Sequence, residues 1–332
     1  MSIVNTFSLQ SNRQIKINFD GGDLSSDAGL LLIKEFISKL GIERLLNRSF
    51  KTNDSAVFRY HTDRDNLLQM IYMIMAGYFE DDASDELTKD PIFFNRMDED
   101  TLKQFQEISQ ILRKRIYSIQ MPQAVILDLD STLLAAYGKQ EGRAFNFHYR
   151  SNGYHPLVCY AGITGDLIKI QLCDGAAYSC TGVTDFLQPI LDEYLNDYPT
   201  IHLLLRGDSG FATPDLYKQC EENGTSYVIR LMENFIKESK SGFDFSAVSS
   251  HNRIVNANRV QVHALAYNIF NWFRRLVLSA KMRKQRIDTV RLKLLKIATK
   301  VVHSARYITF KLCSSCPYGK CFKDILNTLY SN

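Results

Sequence analysis

Ala124-Val125-Ile126-Leu127-Asp128-Leu129-Asp130 is the stretch that decides how the chain is read. In an extended strand successive side chains point to opposite faces. Val125, Leu127 and Leu129 therefore share one face, while Ala124, Ile126, Asp128 and Asp130 share the other. Two carboxylates emerge together at the C-terminal edge of a buried strand, where α/β sheets place their ligands. The segment from Ile201 to Asp208 repeats the pattern: His202, Leu204, Arg206 and Asp208 alternate with Ile201, Leu203 and Leu205. Gly207 and Gly210 leave room beside Asp208 for backbone or ligand to approach. Carboxylates gathered at one sheet edge repel unless a cation lies between them. Oxygen donors without a His/Cys set favour Mg²⁺ or Mn²⁺ over zinc. Either aspartate alone reads equally well as a strand-end or turn residue; their recurrence after two apolar strands is what carries the argument.

Working outward, strands are expected over Pro156–Ile163 and Leu167–Cys173, joined by a Gly165-Asp166 turn, and over Ser226–Leu231. Helices are expected over Thr184–Tyr194 and Thr213–Asn223. The order gives a mixed α/β domain. Before Met121-Pro122 the chain reads as mainly helical, after a weak strand-like alternation at Ile15, Ile17 and Phe19. Beyond it, helices are expected at 233–240, 255–279 and 287–303, then a short strand or extended tail over Tyr307–Leu312. The resulting division is 1–120, 121–254 and 255–332.

Composition bounds the function classes. The 332 residues are 45% hydrophobic and 23% charged, with only 7 Pro and 17 Gly, which excludes a disordered or collagenous chain. No apolar run reaches the roughly 18–20 residues of a membrane span, and no secretory leader pattern opens the chain. The odd count of 7 Cys suits reduced thiols better than a disulfide frame. A cytoplasmic protein without a membrane partner is the expectation. Cys313, Cys316 and Cys321 would need a fourth zinc ligand, and His303 is the nearby candidate; unligated thiols are the simpler reading.

Charge is uneven. From Asn271 to Lys311 many basic residues face a single acid, Asp288, whereas the segment from Glu80 to Asp100 is strongly acidic. A basic C-terminal third is the footprint of a polyanion binder, or else a solvated helix face. Arg253, Arg259, Arg274, Arg275 and the run Lys281–Arg286 are candidate phosphate contacts, which position DNA without reading its sequence. Trp272 among Ile269, Phe270 and Phe273 reads as core. At helical spacing Glu233, Lys237 and Lys240 share a stripe, so a third carboxylate and two ammonium groups could face the aspartates. The bland reading of that stripe is a solvated charged face.

Several motifs in order resemble a DDE transposase of a bacterial insertion sequence, in the insertion sequence 1380 group. They are the stretch from Phe19 to Gly29 (FDGGDLSSDAG), Leu127 to Thr132, Asn146 to Tyr149, Gly153 to Leu157, Arg206 to Phe211, and Ala266 to Arg275. The resemblance spans nearly the whole chain. It implies an α/β, ribonuclease H-like catalytic core with helical N-terminal and C-terminal regions, the first engaging DNA ends. By resemblance Asp130, Asp208 and Glu233 match the Asp-Asp-Glu triad that holds two Mg²⁺ ions, for which Mn²⁺ can substitute. Lys240 matches the signature lysine seven positions after the Glu. The implied partners are double-stranded terminal inverted repeats and target DNA, with a homodimer in the DNA complex.

The sequence also departs from the family. The signature has Arg four positions before the Glu and Tyr three before that; here Ile229 and Ser226 stand there. Relatives carry a β-rich insertion before the Glu helix, whereas Val228-Ile229-Arg230-Leu231 runs almost directly into Met232-Glu233. An internal deletion that impairs strand transfer is the expectation. Two alternatives follow: a catalytically defective DNA-binding remnant that inhibits intact transposase, and a haloacid-dehalogenase-like phosphatase with Asp128 as nucleophile and Asp130 as general acid.

Overall fold

The computed structural model describes residues 6–20, 27–54, 59–78, 94, 96–229, 242–244, 248–304 and 306–331. Strands β1 (Phe7–Ser8) and β2 (Ile15–Asn18) form a short antiparallel pair. Helices α1 (Leu30–Lys39) and α2 (Ile42–Ser49) are separated by Gly41, whose φ of +64° is the left-handed turn that favours glycine. Helix α3 (Asp63–Ala76) starts at a Thr62–Asp65 capping box, and α4 (Glu99–Ile119) at an Asp98–Thr101 box.

The central region begins with β3 (Ala124–Ser131), β4 (Leu134–Ala135), β5 (Ala144–Asn146), β6 (Ser151–Tyr154), β7 (Leu157–Ala161) and β8 (Leu167–Gln171). It continues through α5 (Val183–Asp197), β9 (His202–Gly207), α6 (Pro214–Glu222) and β10 (Ser226–Ile229). Thr213 caps α6, with Pro214 in its first turn. Helix α7 (Arg253–Val277) leads to α8 (Ala280–Arg283), α9 (Ile287–Val290), a π-helical turn Arg291–Leu295, strands β11 (Thr299–His303) and β12 (Ile308–Leu312), and α10 (Gly319–Ser331). No described helix is long and apolar enough to cross a membrane.

Five strands form the main sheet in the order β10-β9-β3-β7-β8. Strands β9 and β10 run parallel to β3, while β7 and β8 form an antiparallel meander on its other side. An antiparallel three-strand start followed by two parallel strands across helical connections is the ribonuclease H-like core. The alternation read from the sequence is met in β3: Val125, Leu127 and Leu129 are buried and the residues between them are half-exposed. Strand β7 is buried at all five positions, as expected for a strand covered on both faces.

Strand β8 is an edge, and α7 covers it with side chains. Asn268 Oδ1 accepts from the Leu167 amide and its Nδ2 donates to the Leu167 carbonyl, both at 2.8 Å. Gln261 Nε2 donates to the Ile170 carbonyl at 2.8 Å, and the Tyr267 hydroxyl to the Gly165 carbonyl at 2.8 Å. Backbone groups on a sheet edge invite a foreign strand unless they are covered. Here two amides and a tyrosine hydroxyl of one helix satisfy them. Trp272 on the same helix is 3% exposed, in the core.

Two results differ from the sequence reading. The helix expected over 287–303 stops at Leu295, and Thr299–His303 is a strand paired antiparallel with β12. The run Thr299, Val301 and Val302 is β-branched, and pairing overrides the weak helical spacing. A small sheet, β4-β6-β5, was not foreseen. In a further sheet of the order β1-β2-β12-β11, β12 pairs in parallel with β2, joining strands far apart in the described sequence.

Arg113 on α4 and Glu193 on α5 form a bidentate ion pair at 2.6 and 2.7 Å, with side chains 7% and 6% exposed. Removing one partner leaves a buried charge. Glu193→Ala should therefore cost about 3–5 kcal/mol in denaturant unfolding. Buried His263 on α7 donates through Nδ1 to the Phe243 carbonyl, and burial pushes its pKa below the ordinary 6.5. Below that value the unfolded chain binds the proton while the folded chain resists it, so stability is intact above about pH 6.5 and falls on acidification. Thermal melting of His263→Gln should show a shallower loss between about pH 7 and 5.5 than the parent.

Candidate metal centre

Strands β3 and β9 pair in parallel from Ala124↔His202 to Asp128↔Arg206, an offset of 78 residues. The last rung of that ladder lies two residues before Asp130 on β3 and two residues before Asp208 on the other chain segment. Strand β3 remains paired with β7 through Asp130↔Val158 and Ser131↔Leu157. Asp208 keeps extended backbone just after β9, with φ −80° and ψ 179°. Both aspartates are half-buried at the C-terminal edge of the two central parallel strands.

Local hydrogen bonds orient each carboxylate. The Ser131 amide donates to Asp130 Oδ1 at 2.7 Å, and the Gly210 amide donates to Asp208 Oδ1 at 2.8 Å. The Ser131 and Ser179 hydroxyls are hydrogen-bonded at 2.8 Å. A Cβ on Gly210 would lie 3.0 Å from Asp208 Oδ1 and 3.2 Å from Ser179 Cβ, so Ser179 sits beside the Asp208 turn as well as beside Ser131. The loop carrying Ser179 thus links the two acid-bearing strand ends, a role that nothing in its local sequence announces.

Asp128, on the same strand face as Asp130, has a different task. Arg206 grips it through two hydrogen bonds of 2.6 Å each. That hydrogen-bonded pairing outweighs partial burial and holds the Arg206 guanidinium more firmly protonated than usual. Gly162 closes the pair from the side, since a Cβ there would stand 2.4 Å from Asp128 Oδ2. Asp128 is therefore a neutralised structural acid.

Beside this edge stands the β5–β6 hairpin. Asn146 Oδ1 accepts from the His148 and Tyr149 amides, while its Nδ2 donates to the Gly175 carbonyl at 3.0 Å. Arg150 takes a left-handed φ of +51° to close the turn. The Tyr149 hydroxyl donates to the Ser131 carbonyl at 3.2 Å, which ties the hairpin to the strand carrying Asp130. Phe145 and Phe147 stack edge to face on its outer side, with Phe147 85% exposed.

Glu233, Lys237 and Lys240 lie outside the described residues. Strand β10 nonetheless carries the chain to the acid edge, because Ile229 pairs with Gly207, the residue before Asp208. Among the described residues no three His, Cys, Asp or Glu side chains converge as a metal cage. What is present is a pair of orientable carboxylates, hard oxygen donors of the kind that suit Mg²⁺ or Mn²⁺.

The basic residues are dispersed. Arg253 pairs with Asp174 at 3.2 Å at the start of α7, and Arg259 lies over the Phe94 ring at 4.5 Å. Arg275 pairs with buried Asp166 at 3.0 Å, and Asn271 donates to the same carboxylate at 2.8 Å. Arg274 donates to Asn271 at 2.8 Å. Arg274 and Arg275 line a cleft with Ala124, the first residue of β3, at the opposite end of that strand from Asp130. They are not brought to the aspartates.

Similarity to solved structures is distant. A piggyBac transposase synaptic complex with hairpin DNA is 12% identical, with TM-score 0.37 over 80% of this chain and 79% of that one. The catalytic domain of Mos1 mariner transposase is 9% identical, with TM-score 0.26 over 57% and 97%. No curated protein shows significant sequence similarity to the chain. A family model for the transposase DDE domain, group 1, matches residues 7–99, 93–234 and 231–331, almost the full length. The chain belongs to that DDE transposase family.

Proposed function

We propose that this chain cuts and joins DNA at the ends of a bacterial insertion sequence of the 1380 group, through a site of Asp130, Asp208 and Glu233. The observation that supports it most is the register of β3 and β9, which directs Asp130 and Asp208 to one sheet edge. Glu233 follows Ile229 by four residues, which span at most about 14 Å. The covalent chain therefore permits it to reach the same edge, with Lys237 and Lys240 following it.

Asp130, Asp208 and Glu233 would hold two Mg²⁺ or Mn²⁺ ions. When bound, such a pair activates the attacking oxygen and stabilises the leaving one at a scissile phosphate. The chain's own contribution is orientation. The Ser131 and Gly210 amides fix one oxygen of each aspartate, and the Asp128–Arg206 pair keeps a neighbouring charge neutralised. Lys237 and Lys240 would offset phosphate charge. Double-stranded terminal repeats and target DNA would be the partners, with a second copy of the chain in the complex, in the cytoplasm.

A second reading has one observation in its favour. Ile229 and Ser226 occupy the signature positions of Arg and Tyr, and both belong to β10, which pairs with β9. An internal deletion joining the core strand to the Glu segment would leave the metal-binding edge while removing DNA contacts. In that case the chain is a DNA-binding remnant that occupies element ends. The phosphatase reading asks Asp128 to act as a nucleophile, and Arg206 already engages both of its oxygens.

Nicking of supercoiled DNA in Mg²⁺ or Mn²⁺ separates these readings. Asp130→Ala and Asp208→Ala should bring nicking down to the chelator-treated background, while Asp128→Asn, which keeps an acceptor oxygen for Arg206, should lower it far less. Nicking by Asp208→Ala at the parental rate would refute the proposed site. End-binding without nicking in the parent protein would select the remnant. Hydrolysis of p-nitrophenyl phosphate by the parent that is lost in Asp128→Asn, with the fold intact, would revive the phosphatase.

A further inference from the structure

The cleft at the far end of the main sheet, about 580 Å³ in volume, is lined by Arg274, Arg275 and Arg283 together with Ala124 and Thr164. Its arginines are fixed in different ways. Arg275 is committed to Asp166 and Arg274 donates to Asn271. Arg283 is exposed and donates through Nε to the Leu278 carbonyl at 2.7 Å, which holds its guanidinium at the end of α7. Lys281, Lys284 and Arg286, all exposed, flank it on the same short segment, and no acid interrupts residues 278–287. A concave wall that carries the Arg274 and Arg283 guanidinium groups, rimmed by further cations, fits a chain of phosphates.

We propose that this cleft seats the duplex backbone well away from the cleaved phosphate, an inference that rests on the DNA reading above. The separation follows from β3 itself. Ala124 lies at the cleft and Asp130 at the acid edge, six residue steps apart, or about 20 Å at the rise of a strand. At about 3.4 Å per base pair this corresponds to at least about six base pairs of duplex between the two contacts. Arg283 and its neighbours therefore engage phosphates, independent of sequence, only when the substrate extends beyond that length. Arg275 serves here mainly as a wall, because its charge is balanced by Asp166.

The test is fluorescence anisotropy of the full chain with two labelled duplexes, one ending about 4 base pairs and one about 14 base pairs beyond the scissile position. The parent should bind the longer duplex more tightly. Arg283→Glu should lose much of that gain, leave affinity for the short duplex unchanged, and lower the slope of log affinity against log salt by about one. Because Arg283 also holds the α7 terminus, Lys281→Glu/Lys284→Glu provides an independent variant with surface changes alone and should lower the slope by about two. Variants that keep the parental length dependence and salt slope would overturn this seat while sparing the DNA reading. A folded parent that binds neither duplex would overturn both.

Discussion

The parallel pairing of Ala124–Asp128 with His202–Arg206 is the constraint on which the rest of the molecule depends. Strand side chains repeat every two residues, so a slip of one residue would turn Asp208 to the opposite face and bury charge in the core. The apolar faces of both strands prevent that slip. Leu127 and Leu205 are paired partners with no exposed surface. The pairing of Asp128 with Arg206 adds a charge lock at the last rung of the ladder. Core packing and salt-bridge geometry thus agree on one register, and the acid edge is its consequence.

Helix α7 provides the second constraint. Most amphipathic helices turn an apolar stripe inward; this one also buries Asn256, Asn258, Asn268 and Asn271. Buried amides are stabilising only when their partners are in place. Asn268 meets both groups of Leu167, and Asn271 meets the Thr164 carbonyl and Asp166. Asn256 donates to the Ser250 carbonyl at 2.8 Å, within a network that reaches the Tyr154 hydroxyl. These directional contacts fix the helix against the sheet in a way that apolar burial alone does not.

Much of the core was legible in the sequence because its strands are strongly patterned. The period-two alternation from Ala124 to Asp130 and the compact apolar run before Asp208 leave little ambiguity. Arg206 was on the same strand face as Asp208, yet its service to Asp128 depended on the cross-strand register, which one strand cannot reveal. Arg275 was read as a phosphate contact because its neighbourhood is basic; its partner Asp166 lies in a hairpin turn far away in sequence. The small sheet escaped for another reason. Ser151-Asn152-Gly153-Tyr154 has no apolar period, and Gly153 is there because a Cβ would stand 2.1 Å from the Leu134 carbonyl oxygen. Close backbone approach of this kind has no local signal beyond the glycine itself.

The sheet shared by β2 and β12 bears on the order in which the protein is made. Lys311 on β12 reaches Asp20, just past β2, across 291 residues of sequence, and β2 lies between β1 and β12. A ribosome delivers β2 early, and β12 arrives only after the main sheet has been synthesised. The edge of β2 must wait through that interval without its permanent neighbour, exposed to other nascent strands. Closure of this layer therefore follows synthesis of the main sheet, and until β12 is made the β2 edge is the one most open to mispairing.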